Sequence, residues 1–307
     1  MNQLDGSSRT VYAKALVNAA GPWVGSFAAE LLGHTRPHTV RLVKGCHIIV
    51  PRLYRNPEAF LLQNSDGRVV FVIPYEQDYT LIGTTEEEYA GDPGKAKISD
   101  WEIDYLISLV NECFRSKISR SDVLHNFCGV RPLIGSDEVN ASKVSRDYTL
   151  ELNDEQAPAL TVYGGKITTY RKLAEAAMNK LEAVFPGLAE PWTEDVPLPG
   201  GDFVSVPVLR TELQQKAPWL AGDIVERWIK LYGSLVFKII GQSAGPAEMG
   251  RDFGHGLFAR EVDYLVDDEW ALTAEDILWR RTKLGLRFNA GETIELEAYL
   301  AAGHKQK

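Results

Sequence analysis

The chain lacks several features that would have placed it quickly. Cysteine is scarce: Cys46, Cys113 and Cys128 stand far apart in sequence, without Cys-x-x-Cys spacing, and their number is odd. That fits a reducing compartment and argues against a cysteine-held metal cluster, and no metal site is expected. No apolar run approaches the roughly 18 residues of a membrane span, and the opening Met1-Asn2-Gln3-Leu4-Asp5-Gly6 is not built as a signal peptide. Basic excess is missing too: the net charge is -9, so no cationic face for nucleic acid is expected. There is no internal repeat and no low-complexity tract. What remains is ordinary globular material, 307 residues with 45% hydrophobic and 24% charged content, long enough for two domains.

Two textures follow one another along the chain. Val11 to Ala20 is an apolar run ending in Asn18-Ala19-Ala20-Gly21-Pro22-Trp23, and Val24 to Leu32 has helical spacing, so this reads as strand, glycine turn and helix. Stretches rich in β-branched residues come next, at Val40–Val50, Phe60–Gln63, Val69–Pro74 and Tyr79–Thr84. Turn signals at Asn64-Ser65-Asp66-Gly67 and Glu76-Gln77-Asp78 separate them, which predicts an antiparallel meander. Ser99 with Glu102 forms a capping box for a helix whose Ile103, Leu106, Ile107 and Val110 share a face. Extended stretches are expected around Cys128–Leu133 and Asp147–Leu152, and a long helix from Thr168 to about Phe185. A Pro- and Gly-rich stretch from Pro186-Gly187 to Pro199-Gly200-Gly201 then reads as a linker. Beyond it helices are predicted near Val206–Gln215, Leu220–Tyr232, Phe258–Val266, Ala274–Leu284 and Glu292–Ala302, with Thr273 and Asp276 as a cap and Gly285 as a stop.

The richest segment is Gly164-Gly165-Lys166-Ile167-Thr168-Thr169-Tyr170-Arg171, after the apolar Ala159-Leu160-Thr161-Val162-Tyr163. Paired glycines permit positive φ and close approach to the backbone. The helix that follows offers amides and a positive dipole end, and Lys166 adds a full charge, a combination suited to a phosphate or an anionic ring. An ordinary strand-to-helix corner has the same local sequence.

Several motifs then converge in order and at suitable separations. They are Val17-Asn18-Ala19-Ala20-Gly21-Pro22-Trp23, Val43-Lys44-Gly45-Cys46-His47, Val72-Ile73-Pro74 and Ile82-Gly83-Thr84-Thr85. Gly129-Val130-Arg131-Pro132-Leu133, Ser145-Arg146-Asp147-Tyr148 and the Gly164–Arg171 segment complete the set. As a set they resemble FAD-dependent, quinone-linked (aerobic) glycerol-3-phosphate dehydrogenases. The stretch from Glu261 to Tyr264, continuing through Thr273 to Thr282, resembles that family's C-terminal helical domain. Such enzymes open with a Rossmann unit carrying Gly-x-Gly-x-x-Gly. No such motif follows any predicted strand here, so the sequence reads as starting just before the last strand of the FAD domain, as a partial copy would. Little or no FAD retention by the isolated chain is expected.

The resemblance implies roles for particular residues. Oxidising a secondary alcohol on a flavin needs a hydride acceptor, a base for the hydroxyl proton and cations for a phosphorylated substrate. His47, on an extended run, is the candidate base, an imidazole whose pKa suits proton abstraction near neutrality. Arg131, kept out of a helix by Pro132, would polarise the C2 oxygen or hold the phosphate bidentately. Arg146 and Lys166 are candidate phosphate or substrate anchors. Ala20, Gly21 and Trp23 are expected beside FAD, with Gly165, Lys166, Ile167, Thr168 and Thr169 at the flavin edge; the two threonines could equally cap their helix. His34, His38, His125, His255 and His304 have no ligand spacing. Glu86-Glu87-Glu88 reads as a solvated turn, and Trp279-Arg280-Arg281-Thr282-Lys283 as a basic helix face open to solvent, a membrane surface or another subunit.

The sequence therefore predicts an α+β fold. Residues 1–189 hold a remnant of the FAD-binding domain plus a mainly antiparallel substrate-binding sheet with packed helices; residues 190–203 are a linker and 204–307 an all-α domain. The resemblance implies oxidation of glycerol 3-phosphate to dihydroxyacetone phosphate, with electrons passed to quinone, in a cytoplasmic protein. It also leaves open peripheral attachment to the inner membrane and a homodimer. Two other readings stay open: a non-catalytic structural or interaction module, and an amine oxidase of the same superfamily.

Overall fold

The structure is a computed structural model that describes residues 8–30, 38–64, 67–134, 147–154 and 157–303. The chain divides into two compact units, Met1–Glu194 and Asp195–Lys307.

The first unit opens with a short strand, β1 (Leu16–Asn18), a single 3₁₀ turn at Gly21–Trp23 and helix α1 (Val24–Glu30). Only three residues of the apolar Val11–Ala20 run are strand. The turn is clamped by buried Asn18, whose Nδ2 donates to the Val24 carbonyl (3.1 Å) and whose Oδ1 accepts from the Ala20 amide (3.3 Å).

Then come β2 (Val40–Pro51), β3 (Phe60–Gln63), β4 (Val69–Tyr75) and β5 (Tyr79–Gly83). The last three form the expected antiparallel meander, and β5 pairs with β2. A two-residue strand, β6 (Glu87–Glu88), continues along the same edge of β2. On the other edge of β2 runs β7 (His125–Ile134), antiparallel over ten residue pairs. Its outer position tolerates Pro132, which has no amide to donate.

Helix α2 (Asp100–Cys113) covers one face of this sheet. Its capping box is present as predicted: the Ser99 hydroxyl accepts from the Glu102 amide and the Glu102 carboxylate accepts from the Ser99 amide. Alternation on the strands sends Ile48, Val50, Val70, Val72 and Ile82 towards Leu106, Ile107 and Val110 of α2, and these make the core. Each fully buried side chain of this kind contributes about 1.5–3 kcal/mol.

A second sheet has the order β1-β9-β8, from β8 (Tyr148–Asn153) and β9 (Ala159–Gly164), with β1 and β9 parallel. After β9 a 3₁₀ turn, Ile167–Thr169, leads into α3 (Tyr170–Leu181).

The second unit is helical: α4 (Val206–Lys216), α5 (Gly222–Tyr232), α6 (Val236–Ile240), α7 (Ala259–Asp267) and α8 (Ala290–Gly303). Its core gathers Leu209, Leu213, Trp228, Ile239, Val262, Leu265 and Leu296. Among them lies buried Glu261, which accepts from Arg227 (2.5 and 2.9 Å), Trp228 Nε1 (2.9 Å) and Tyr232 Oη (2.7 Å), so the buried charge is fully engaged.

The predicted helix at Ala274–Leu284 is replaced by a π-helical turn, Asp276–Arg281, closed by the Thr282 amide on the Ile277 carbonyl at 2.9 Å. The Thr273–Asp276 cap is present. The left-handed residue that ends this turn is Lys283 (φ 57°), not Gly285; a side chain at Gly285 would run into the Trp279 ring. Two cations of the basic run there have carboxylate partners: Arg280 pairs with Asp276 and Glu275, and Arg281 with Glu269.

Around the predicted linker, Thr193 and Glu194 are tied to α3 through Glu175, Arg171 and Lys172, and Gly200 accepts from the Ser234 amide. Between these anchors residues 195–199 are exposed. Among the described residues no helix is long and apolar enough to cross a membrane.

Candidate active site

Because Lys44, Ile48 and Val50 of β2 face α2, the residues alternating with them, Val43, Gly45 and His47, face the other way. The antiparallel register sets Arg131 opposite Val43, Gly129 opposite Gly45 and Phe127 opposite His47. Residues directly opposed share a face. His47 and Arg131 thus lie on one face of one sheet, separated by a strip of two glycines. Arg131 sits within β7, in the extended stretch expected around Cys128–Leu133.

The His47 ring stacks on Phe127 (centroids 5.0 Å apart, planes 11° apart) and lies over Gly83, where any side chain would fall within the ring. Its Nδ1 is buried without a hydrogen-bond partner among the described residues. Burial, and then the charge of Arg131, push its pKa below the ordinary imidazole value. At neutral pH the ring is therefore uncharged, the form a proton acceptor needs.

Arg131 Nη1 donates to Glu86 Oε1 at 3.2 Å. Its Nη2 lies 3.3 Å from where a Cβ on Gly45 would sit, and Thr84 Oγ1 and the Thr85 carbonyl crowd the same point at 2.5 and 3.1 Å. Gly45 is required there because these groups occupy the space. Gly129 is the opposite case: among the described residues a Cβ there would meet nothing within 4 Å, which leaves an open floor between the histidine and the arginine.

The segment behind this arrangement is held from the other face of the sheet. Buried Glu102 accepts from Lys44 Nζ (2.7 Å), the Ser99 amide and hydroxyl, and Thr85 Oγ1 (2.8 Å). Thr85 Oγ1 in turn accepts from the Cys46 amide at 3.0 Å. The Glu86–Glu88 run is not a solvated turn: Glu86 meets Arg131, Glu87 pairs with Arg68 at 3.1 Å, and Glu88 pairs with Arg41. The run is drawn into the sheet because it lies alongside β2.

Cys46 and Cys128 oppose one another in the β2–β7 register and are joined as a disulfide, leaving Cys113 as a free, exposed thiol. This corrects the picture of three unrelated thiols: 82 residues of separation hide a pair that the register makes adjacent.

The Gly-Gly-Lys corner lies against the end of β7, since a Cβ on Gly164 would come within 3.8 Å of the Pro132 carbonyl and of Ile134. Both glycines have positive φ, 70° and 105°, as expected. The space of their missing side chains is taken by the chain itself, by the Asp147 carbonyl (2.9 Å) and Leu173 (3.3 Å), and not left for a guest. Lys166 lies 3.8 Å from Asp147. Thr169 does not cap α3; its hydroxyl donates to the Lys166 carbonyl (3.0 Å). Gly165, Lys166, Ile167 and Thr168 are exposed, as is Trp23. Arg146, His34 and His304 lie outside the described residues.

Of the residues singled out from sequence, His47 and Arg131 come together, with the Gly164–Gly165 corner adjoining. Sequence reasoning missed Phe127, Glu86, Thr84, Thr85 and Glu102, all of which reach the site through strand pairing or through contacts across the sheet.

Comparison with known proteins agrees with this architecture. Residues 3–171 match the family model described as FAD dependent oxidoreductase, and residues 191–299 that described as C-terminal domain of alpha-glycerophosphate oxidase. A glycerol-3-phosphate dehydrogenase of Pseudomonas aeruginosa is 46% identical over the whole chain, which covers 60% of that protein. D-erythritol 1-phosphate dehydrogenase of Brucella abortus is 44% identical over 95% of the chain and 59% of that protein. The solved glycerol-3-phosphate dehydrogenase of Bacillus halodurans, complexed with FAD, superposes with a TM-score of 0.76 at 26% identity, over 97% of this chain and 63% of that one. The chain thus spans about 60% of the length of the curated relatives it matches. With a flavoenzyme family model over more than half of it, the chain belongs to the FAD-dependent oxidoreductases, and it is similar to their glycerol-3-phosphate dehydrogenases along its whole length.

Proposed function

We propose that this chain forms the substrate-binding and C-terminal portion of an FAD-dependent glycerol-3-phosphate dehydrogenase, oxidising sn-glycerol 3-phosphate to dihydroxyacetone phosphate with electrons passed on to quinone. The observation that carries the reading is the pairing of an uncharged, partly buried His47 with Arg131 on one sheet face, across an open glycine floor.

The residues present fit the ring end of a flavin. Ile167 is 86% exposed beside the backbone of the Gly165–Thr169 corner, just past the end of the strand β9 that pairs with β1. An apolar surface next to polar backbone suits a planar ring with a polar edge. Ala20, Gly21, Trp23, Gly165, Lys166, Ile167, Thr168 and Thr169 would hold it. When bound, FAD supplies the acceptor for the hydride that leaves C2.

His47 accepts the hydroxyl proton, for which its lowered pKa keeps the imidazole free. Arg131 stabilises the negative charge that gathers on the C2 oxygen as that proton leaves. Phe127 and Gly83 fix the imidazole plane from either side. Lys166 and Arg146 anchor the phosphate. The similarity to D-erythritol 1-phosphate dehydrogenase favours a second reading, a longer polyol phosphate, for which the open floor at Gly129 leaves room.

The test is a chimera in which this chain replaces the matching region of the Pseudomonas aeruginosa enzyme, assayed with an artificial electron acceptor. Arg131→Ala should lower kcat/KM for glycerol 3-phosphate at least about a hundredfold, since a charge-assisted contact in a dry site is worth about 3 kcal/mol or more. His47→Ala should act chiefly on kcat. Turnover that survives Arg131→Ala would overturn the site assignment, and a preference for erythritol 1-phosphate would select the second reading.

A further inference from the structure

Arg131 could serve a phosphorylated alcohol in two ways, by gripping the phosphate or by polarising the alcohol oxygen, and its surroundings distinguish them. Glu86 is placed by its neighbours: Glu87 pairs with Lys44 and Glu88 with Val43 in the β6–β2 register, so Glu86 comes next, alongside Gly45 on the His47 face. Alternation turns Glu87 to the opposite face, towards Arg68. The backbone just before Glu86 is fixed, since the Thr85 amide donates to the Cys46 carbonyl and the Thr85 hydroxyl bridges the Cys46 amide to Glu102.

From that position the Glu86 carboxylate takes Nη1 of Arg131 at 3.2 Å, with both side chains largely withdrawn from water, 34% and 22% exposed. The Nη2 side lies over Gly45. A guanidinium grips phosphate best with two parallel N–H groups and an uncompensated charge. Here Glu86 breaks the Nη1–Nη2 fork and offsets the guanidinium charge, and its carboxylate would face a dianion at close range. A neutral hydroxyl or carbonyl oxygen meets neither obstacle and needs only one donor.

We propose that Glu86 is a positioning and specificity residue: it fixes the Arg131 guanidinium and keeps phosphate off it, reserving Arg131 for the oxygen at C2 and leaving the phosphate to other cations. This deepens the dehydrogenase reading above and rests on Arg131 facing the substrate.

The experiment uses the 307-residue chain and inorganic phosphate as probe, so it requires neither flavin nor turnover, and its failure leaves the dehydrogenase reading to the chimera assay. The Arg131 Nε–Hε signal, assigned by its loss in Arg131→Lys, is followed by NMR during phosphate titration. Glu86→Gln should bind phosphate at Arg131 at least about tenfold more tightly than the unaltered chain, because a like charge facing the anion is gone. Glu86→Asp, which keeps the charge on a shorter stem, should still exclude it, and Glu86→Gln/Arg131→Ala should lose the gain. Equal affinity in Glu86→Gln and the unaltered chain would overturn the proposal, as would a gain that survives in the double variant, phosphate binding by Glu86→Asp as tight as by Glu86→Gln, or unfolding of the N-terminal unit in Glu86→Gln.

Discussion

Replacing Glu102 by glutamine removes one negative charge from a place where four donors converge, and leaves Lys44, 9% exposed, without its counter-ion. The volume is unchanged, so the cost is electrostatic. Stranding one partner of a buried pair costs about 3–5 kcal/mol. For a unit the size of Met1–Glu194, each kcal/mol moves the midpoint by roughly 2–4 °C, so a fall of about 10 °C is expected. Calorimetry should show that fall in the transition of the N-terminal unit and none in that of the C-terminal unit. Adding Lys44→Met should recover more than half of it, because no unpaired charge then remains. The pH dependence has a definite sign. Burial pushes the Glu102 carboxyl up, but hydrogen bonds from Lys44, Ser99 and Thr85 together hold it below its ordinary value. Its contribution is therefore present above the ordinary carboxylate range and is lost as pH falls through the lower folded-state value. Glu102→Gln should flatten that acid limb. A midpoint change under about 2 °C, or no recovery on adding Lys44→Met, would refute the view that this network holds the sheet.

Two further outcomes are expected. Gly45→Ala places a methyl against Thr84 Oγ1, the Thr85 carbonyl and Arg131 Nη2, so it should displace the guanidinium and cost the chimera about a hundredfold in kcat/KM; activity within a few-fold of the parent would show that the crowding is relieved without moving Arg131. Limited proteolysis should cut first within residues 195–199, where exposed chain lies between the anchors at Glu194 and Gly200, and both products should stay folded; earlier cleavage inside α3 would contradict that boundary.

The parts of the fold legible in the sequence are those whose signals are local. Ser99 and Glu102 stand three residues apart and cap each other, so the start of α2 could be read directly. The meander was legible because turn residues separate strands of matching period. What escaped depends on partners distant in the chain. Glu86-Glu87-Glu88 has the composition of a solvated turn, and only the proximity of β2, with cations at Arg41, Arg68 and Arg131, makes it strand and ion pairs. The π-helical turn at Asp276–Arg281 keeps the helical spacing of its apolar residues, Ile277 and Leu278 still being buried, so periodicity alone could not tell it from an α-helix.

The site divides along the same line. His47 and Arg131 were named from motifs, and each motif carries glycines whose purpose the motif does not reveal. The register reveals it. Gly45 and Gly129 face one another across β2 and β7, yet for opposite reasons: Gly45 is a glycine because Arg131, Thr84 and Thr85 fill the place of its side chain, and Gly129 because the floor beside it is open. Gly83 is a third case, a seat for the His47 ring. The glycine strip between imidazole and guanidinium, open only on its Gly129 side among the described residues, is thus made by two strands more than 80 residues apart, neither of which contains it. A substrate whose reacting carbon must lie within reach of both groups needs such a strip, because a single β-carbon of the wrong residue would occupy the position of the substrate. Alanine at Gly129 would intrude on that space without disturbing the fold, whereas alanine at Gly45 would disturb Arg131 without intruding on it. The two changes therefore separate exclusion of substrate, read as a rise in KM, from misplacement of Arg131, read under the proposed function as a fall in kcat.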